Sequence, residues 1–257
     1  MKTLIWIRHG EWGMSETHLG DLKFRLMTIN LLRTAKKRFT YRELSSKTDL
    51  PVTVLSRYVK GHVLPSLNRA NKIWKILEEL VGLEDELRRR IKFDEFGYFD
   101  NTSIVCDTAL LQQAVQYAFS RFAGRRITKI LTAAVDGIPL ATLMSDALGV
   151  NLVMAKNTKE VGIRDFVEET FIPGDSAMVM SLYIPRGLIR SGDSVIIVDD
   201  VIKTGETQRA LINLVTKSKA EVAGIYALIS IGDKWKEKLS ELSDFPLEVV
   251  LSVTGKR

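Results

Sequence analysis

The chain has 257 residues, 46% of them hydrophobic and 26% charged, which is the composition of a globular protein and excludes bulk disorder. No apolar run approaches the roughly 18 residues that cross a bilayer, so a membrane-spanning helix is excluded. Cys106 is the only cysteine, which excludes an internal disulfide and a thiolate metal cluster, and we expect a cytoplasmic protein without a membrane partner.

The net charge of +6 is distributed unevenly along the chain. Residues 1–92 contain 19 Lys or Arg against 10 Asp or Glu, whereas residues 93–257 contain 18 against 21. A basic segment joined to a mildly acidic one indicates a polyanion-binding module attached to a unit that binds small ligands. We therefore predict two domains, residues 1–92 and residues 93–257.

The first motif, "LIWIRHGEW" at residues 4–12, resembles the strand-to-loop motif of the histidine phosphatases, with His9 in the place of the phosphoacceptor. That chemistry needs a second active-site histidine far downstream. The other histidines, His18 and His62, both lie in the first quarter of the chain. We interpret the motif as a short strand or arm that carries a surface histidine.

Helical periodicity begins after this motif. Apolar residues at helical spacing predict an amphipathic helix over residues 21–35. Thr40 followed by Glu43 is the capping-box pattern, which predicts a short helix from Thr40 to about Thr48.

A second short helix follows a sharp turn. Pro51 disfavours helical geometry at the residue before it and suits the first turn of a helix over residues 52–60, which Gly61 would end. Two short helices about a sharp turn are the arrangement of a helix-turn-helix, whose second helix enters the DNA major groove. Paired short helices also occur in all-α domains that do not bind DNA. The excess of Lys and Arg in residues 1–92 is what favours the DNA-binding interpretation.

The second short helix can turn Leu55 inward and leave its polar residues outward. Arg57 suits the bidentate contact to guanine, and the surrounding cations suit phosphates. This stretch resembles the Cro and C1 repressor type of helix-turn-helix, in which a glycine and then Pro-Ser, here Pro65-Ser66, follow the recognition helix. The candidate contacts to double-stranded DNA are Arg42, Lys47, Thr53, Ser56, Arg57 and Lys60.

Beyond residue 100 the pattern changes to alternating strands and helices. Continuous apolar strands between helices predict an α/β fold with a mostly parallel sheet covered on both faces. The predicted helices are 108–122, 138–149 and 205–217, and the predicted strands are 127–135, 151–156, 177–184, 194–200 and 222–230, with a long polar stretch over 157–176.

One strand end, "VDDVIKTGET" at residues 198–207, has the chemistry of a sugar-phosphate site. The free N–H groups of a helix N-terminus bind anions, and Gly205 allows a close approach of the backbone. The carboxylates of Asp199 and Asp200 accept hydrogen bonds, as vicinal hydroxyls require. A ligand with hydroxyls at one end and a phosphate nearby is a ribose 5-phosphate.

The same stretch resembles the phosphoribosyl pyrophosphate (PRPP) signature of the type I phosphoribosyltransferases. "VDGIPLA" at 135–141 resembles their pyrophosphate loop, and "MAKNTK" at 154–159 resembles the start of their mobile hood loop. The resemblance implies their fold, with Mg²⁺ bridging ligand oxygens. It also implies Asp199 and Asp200 on the ribose hydroxyls; Lys203, Thr204, Gly205, Glu206 and Thr207 on the 5-phosphate; and Ala134, Val135, Asp136, Gly137 and Lys156 on the pyrophosphate.

Departures from the enzymes favour a sensor. Lys203 stands where purine-salvage members commonly carry an acid that serves as general base, and a protonated lysine cannot take that role. The hood stretch 157–176 contains no histidine and lacks the Lys-x-x-Lys-x-His arrangement of orotate transferases. Residues 172–207 instead resemble the purine operon repressor type, in which a helix-turn-helix is fused to a transferase-like domain, and similar archaeal regulators.

We therefore expect a homodimeric, DNA-binding transcriptional regulator of nucleotide metabolism, with PRPP or a nucleotide as its effector and no catalytic residue assigned. The alternative is an active purine or pyrimidine phosphoribosyltransferase with an accessory helical domain.

Overall fold

The computed structural model describes residues 18–122, 124–173, 178–240 and 244–254, so the motif around His9 lies outside the described residues. Described helices are α1 (His18–Lys36), α2 (Tyr41–Thr48), α3 (Val52–Val59), α4 (Leu67–Leu80), α5 (Leu83–Arg90), α6 (Thr102–Val105), α7 (Thr108–Arg121), α8 (Ile138–Leu148), α9 (Glu206–Lys217) and α10 (Lys234–Ser240). Described strands are β1 (Lys92–Phe93), β2 (Phe99–Asp100), β3 (Lys129–Ala133), β4 (Asn151–Ala155), β5 (Phe166–Phe171), β6 (Met180–Pro185), β7 (Ser194–Ile202), β8 (Glu221–Ile231) and β9 (Leu247–Val253). None of these helices has the length and apolar character of a bilayer span.

Helices α1 to α4 enclose a core of their own, which includes Phe24, Leu55 and Trp74. The apolar spacing predicted helix α1, but two of the apolar residues that form this spacing are exposed. Leu22 and Leu26 are 39% and 46% exposed, because α1 packs against α4 along a stripe that starts at Phe24 and ends at Ala35.

The start of α2 and the end of α3 carry the predicted capping signals. Thr40 Oγ1 accepts a hydrogen bond from the Glu43 N–H at 3.3 Å, and the Thr40 N–H donates to Glu43 Oε2 at 2.7 Å. The hydrogen bonds from Thr40 lower the pKa of the Glu43 carboxyl. Gly61 follows α3 with a φ of 75°, so the predicted left-handed cap is present.

The C-terminal part is a five-stranded sheet in the order β4-β3-β7-β8-β9, with every pairing parallel. Alternate residues of β7 enter different cores: Ile196 and Val198 pack with α7 and α8, whereas Val195 and Ile197 pack with α9. Because both faces are covered, β7 carries a continuous apolar run. The predicted α/β fold with a mostly parallel sheet is confirmed.

The hood region differs from the prediction. The strand expected over 177–184 forms as β6, but it pairs antiparallel with β5 in a separate two-stranded ribbon. Strand β5 lies inside the predicted polar stretch. Its side chains alternate between buried and exposed, as Val167 and Glu168 show. The ribbon is tied to α9, where Asn213 Nδ2 donates to Glu169 Oε1 at 2.7 Å.

Helix α5 packs with the C-terminal core, although its sequence belongs to the basic segment. Leu83 and Leu87 are buried against α7 and β9, whereas Val81 belongs to the core of α1 to α4. The chain therefore passes from one core to the other between Val81 and Leu83, before the predicted domain boundary after residue 92. We refer to α1–α4 as the helical unit and to the remainder as the sheet unit.

Candidate functional site

Three loops predicted to bind one ligand meet at one edge of the sheet. Strands β4, β3 and β7 are neighbours and run parallel, so their carboxyl ends lie side by side. Residues 134–137 follow β3, Lys156 follows β4, and residues 203–205 follow β7. The Ala134 N–H donates to the Ala155 carbonyl at 2.9 Å, which fixes the first of these loops to the end of β4.

The acid pair lies on β7 and is largely buried, with Asp199 7% and Asp200 8% exposed. Asp199 Oδ2 accepts from Gln208 Nε2 at 2.6 Å, and its Oδ1 accepts from the Asp200 N–H at 3.0 Å. Burial, and then the neighbouring charge of Asp200, raise the pKa of Asp199 well above its ordinary value. Hydroxyl donors or a cation placed against the pair would favour the charged form.

A residue that sequence reasoning missed, Asn101, also belongs to this site. Its Nδ2 donates to Asp200 Oδ2 at 2.5 Å and lies 3.2 Å from Asp136 Oδ2. The amide therefore bridges the acid pair and the predicted pyrophosphate loop. The sequence gives only one local signal, an asparagine just before a short helix, and Asn101 is the N-cap of α6.

The predicted phosphate loop leads into α9 through Gly205, which has a φ of 86°. The positive φ favours glycine, and a Cβ at Gly205 would lie 3.3 Å from the Trp235 Cα, which is tighter than an ordinary contact. The first N–H groups of a helix have no intrahelical partner and bind anions. Thr204 and Thr207 are half-buried beside them, and Lys203 is exposed.

Glu206, predicted to contact the 5-phosphate, can do so only through its backbone. Its carboxylate forms an ion pair with Lys238 of α10. Although burial opposes ionisation, hydrogen bonds from Lys238 and Thr204 lower the pKa of Glu206. A carboxylate held in the charged form repels phosphate, so the N–H group is the part of Glu206 that suits an anion.

The predicted pyrophosphate loop is packed against the acid pair at Gly137. A Cβ there would lie 2.4 Å from Thr132 Oγ1 and 3.1 Å from Asp199 Oδ1. Val135 and Asp136 are exposed, as a ligand contact requires, and the Ala134–Val135 peptide is cis.

Lys156 lies beside this loop at the end of β4, where its backbone pairs with Tyr183 of β6. Its ammonium forms an ion pair with Glu160. A phosphate that binds Lys156 would therefore compete with Glu160.

The candidate DNA contacts lie on α2 and α3, with Lys60 at the C-cap of α3. Leu55 and Tyr58 are the buried residues of α3, so its other side faces away from the core of the helical unit. Ser56 is half-buried; exposed members of the set are Arg42, Lys47, Thr53, Arg57 and Lys60.

Across the described residues, no group of three or more His, Cys, Asp or Glu side chains could hold a metal ion. Mg²⁺ takes oxygen ligands and usually binds through one or two carboxylates together with substrate phosphates. Asp199 and Asp200 provide two such carboxylates at this edge, so they fit Mg²⁺ that is held mainly by a phosphorylated ligand.

Comparison with known proteins agrees with this geometry. A family model described as "Phosphoribosyl transferase domain" matches residues 108–250. The purine biosynthesis transcriptional repressor PurR of Bacillus subtilis is 31% identical over 133 residues, which are 52% of this chain and 47% of that protein. A probable purine biosynthesis transcriptional regulator PurR of Streptococcus pneumoniae is 24% identical over 160 residues, 62% of this chain and 56% of that protein. The chain thus spans about half the length of these two relatives.

An enzyme is similar over a longer stretch. Xanthine phosphoribosyltransferase of Ectopseudomonas mendocina is 29% identical over 182 residues, which are 70% of this chain and 92% of that protein. Among solved structures, adenine phosphoribosyltransferase of Rhodothermus marinus matches with a TM-score of 0.59 and 25% identity over 67% of this chain and 99% of that one. The Thermoanaerobacter pseudethanolicus enzyme, at a TM-score of 0.58 and 19% identity, shows the same fold.

Proposed function

The chain belongs to the phosphoribosyl transferase domain family, and we propose that it is a DNA-binding transcriptional regulator of nucleotide metabolism that responds to PRPP or a nucleotide. The ligand would bind at the carboxyl ends of β3, β4 and β7. The observation that carries the proposal is the exposed basic face of α2 and α3 on the same chain as this cleft. The similarity to two purine repressors supports it.

The cleft provides complementary groups for each part of PRPP. Asp199 and Asp200 accept hydrogen bonds from the ribose hydroxyls, and the backbone N–H groups of residues 203–207 bind the 5-phosphate. Residues 134–137 and Lys156 bind the pyrophosphate. Mg²⁺ would be held by the carboxylates of Asp199 and Asp200 together with the phosphorylated ligand, and it would supply positive charge there.

The helical unit would present α3 to the major groove, as in other helix-turn-helix proteins. Arg57 would read a base edge, while Arg42, Lys47 and Lys60 would contact phosphates. Two copies are needed to read a palindromic site, with recognition helices about 34 Å apart, so we propose a homodimer.

A sensor interpretation also fits Lys203, which is exposed at the loop where a general base is expected in purine-salvage enzymes. PRPP can change DNA affinity only if it binds the DNA-competent and DNA-incompetent arrangements unequally.

The test is removal of the acid pair. In the double variant Asp199→Asn and Asp200→Asn, we expect PRPP with Mg²⁺ to lose its effect on DNA affinity, measured by fluorescence anisotropy, while DNA binding without ligand is kept. The control is Glu221→Gln with Asp244→Asn, which removes two charges near the opposite edge of the sheet. A double variant that still responds fully to PRPP would refute the site.

A second function is an active phosphoribosyltransferase, which the similarity to xanthine phosphoribosyltransferase over 92% of its length favours. Incubation with PRPP, Mg²⁺ and each nucleobase separates the two functions. The regulator predicts no pyrophosphate release above the rate without a base. Release at the roughly 1–1,000 per second typical of enzymes would establish the transferase.

A further inference from the structure

Asn101 occupies a hydrogen-bonding position that a ribose ligand also needs. Its amide lies 2.5 Å from Asp200 Oδ2, on the carboxylate proposed to bind the ribose hydroxyls. The same nitrogen reaches Asp136 Oδ2 at 3.2 Å in the proposed pyrophosphate loop. A ligand that bonds to both carboxylates must compete with this amide.

Asn101 is also joined mechanically to helix α6. Its carbonyl accepts the N–H groups of Ile104 at 2.8 Å and Val105 at 3.0 Å, so a shift of Asn101 disturbs the start of the helix. Helix α6 is in turn bound by Arg90 of α5, whose Nη1 donates to the Ser103 carbonyl at 2.9 Å. The same Nη1 lies 2.9 Å from Asp107 Oδ2.

Glu86 connects Arg90 to the helical unit. Its side chain is only 12% exposed, with Oε1 3.4 Å from Arg90 Nη2 and Oε2 3.3 Å from Arg38 Nη1. Arg38 lies in the turn between α1 and α2, two residues before the Thr40 cap of the predicted DNA-binding helices. The polar contacts therefore continue from the cleft to the helical unit.

We propose that Asn101 is a latch whose displacement by a ribose ligand is passed to α2 and α3 through Arg90, Glu86 and Arg38. Without ligand, the Asn101 amide donates to Asp200, and α6 keeps its hydrogen bond from Arg90. A ribose hydroxyl on Asp200 replaces the amide, releases the start of α6 and shifts Arg90, which disturbs the ion pair of Glu86 with Arg38. This inference rests on the proposed function, because it needs the ligand site at Asp200.

The test measures two quantities for each variant: PRPP affinity by calorimetry, and the factor by which saturating PRPP changes DNA affinity. Allosteric coupling is typically about 5- to 150-fold, so its loss is measurable. In Asn101→Ala we expect tighter PRPP binding, because the competing amide is gone, and a coupling factor near 1. In Glu86→Gln, which keeps the side-chain shape, we expect PRPP affinity within about threefold of the unaltered chain and a reduced coupling factor.

The matched control is Glu84→Gln. Glu84 lies on the same helix α5 and pairs with Arg88 at 2.7 Å on an exposed face, so its variant should keep the coupling of the unaltered chain. Thermal melts of all variants check that the fold is kept.

Full coupling in both Asn101→Ala and Glu86→Gln would overturn the latch while leaving the proposed function intact. Loss of coupling in Glu84→Gln as well would also overturn it, because any charge change on α5 would then suffice. Failure of the unaltered chain to bind either PRPP or a nucleotide would overturn the proposed function and the latch with it.

Discussion

Gly137 lies directly against Asp199, so the predicted pyrophosphate loop and the acid pair are packed as one unit. A Cβ at Gly137 would stand 3.1 Å from Asp199 Oδ1 and 2.4 Å from Thr132 Oγ1. The φ of Gly137 is −72°, which any residue adopts. Space, not backbone conformation, therefore requires glycine at this position.

The variant Gly137→Ala should destabilise the sheet unit and weaken PRPP binding. Forcing a methyl group into a packed site costs typically about 1–3 kcal/mol, and relief of the clash would displace Asp199 or the loop. Urea unfolding and calorimetry measure the two effects. The control is Gly82→Ala, where the nearest neighbour of the new Cβ is the Glu78 carbonyl at 3.4 Å. Equal stability and binding in the two variants would contradict the packing argument.

The parts of the site that are contiguous in sequence could be predicted, because their chemistry depends on spacing alone. Asp199 and Asp200 end an apolar strand, and Gly205 follows them at the start of a helix. The structure places these residues at the edge of the sheet that the parallel topology required. Their roles toward a ligand stay predictions.

Asn101 could not be predicted in the same way. It meets Asp200 across 99 positions of sequence, and a contact of that range depends on the packing of β2 and α6 and not on local spacing. Helix α5 shows a related limit. It lies within residues 1–92, which are basic overall, but its own three acids and three arginines balance, and Leu83 and Leu87 determine where it packs. The charge balance of a segment describes its surface, whereas its buried apolar residues determine which core it joins.

The stability of the protein should depend on pH through Asp199. Its pKa is raised above the ordinary 3.8 by burial and by Asp200, so the folded state binds a proton that the unfolded chain has released at the same pH. This contribution is fully present below the ordinary pKa and is lost as pH rises through the raised one.

Asp199→Asn removes this titration, because the amide has no charge to bury. We therefore expect the Tm of the variant, relative to the unaltered chain, to increase as pH rises from the ordinary pKa of 3.8 through the raised one, in the absence of PRPP. Calorimetric scans at several pH values measure the difference. The exposed Asp85→Asn serves as the control for removal of a charge. A Tm difference that does not change with pH would contradict the cause given for the raised pKa.

A core substitution in α3 should affect the stability of the helical unit and DNA binding without affecting PRPP binding by the sheet unit. Leu55 is fully buried in the core of the helical unit, so Leu55→Ala should cost about 2–5 kcal/mol there. We expect DNA binding to be lost while calorimetric PRPP affinity is kept, as a division into a DNA-binding and a ligand-binding domain requires.

The control for this experiment is Val52→Ala, since Val52 lies on the same helix but is 39% exposed. Circular dichroism should show a loss of helix only in Leu55→Ala. Parallel loss of PRPP binding in that variant would mean that the two units do not fold separately.

Arg57 should determine sequence preference, not general affinity for DNA. It is exposed on α3 between the buried Leu55 and Tyr58, and a bidentate contact to guanine is worth about 1–3 kcal/mol of discrimination at one base position. Selection of duplexes from a random library by the unaltered chain defines the preferred site. We expect Arg57→Ala to relax the preference at one position in each half-site, whereas Arg88→Ala, which removes the same charge from the exposed face of α5, should keep the preferred site. Weakening by Arg57→Ala that is uniform across sequences, with a shallower salt dependence, would instead identify Arg57 as a phosphate contact.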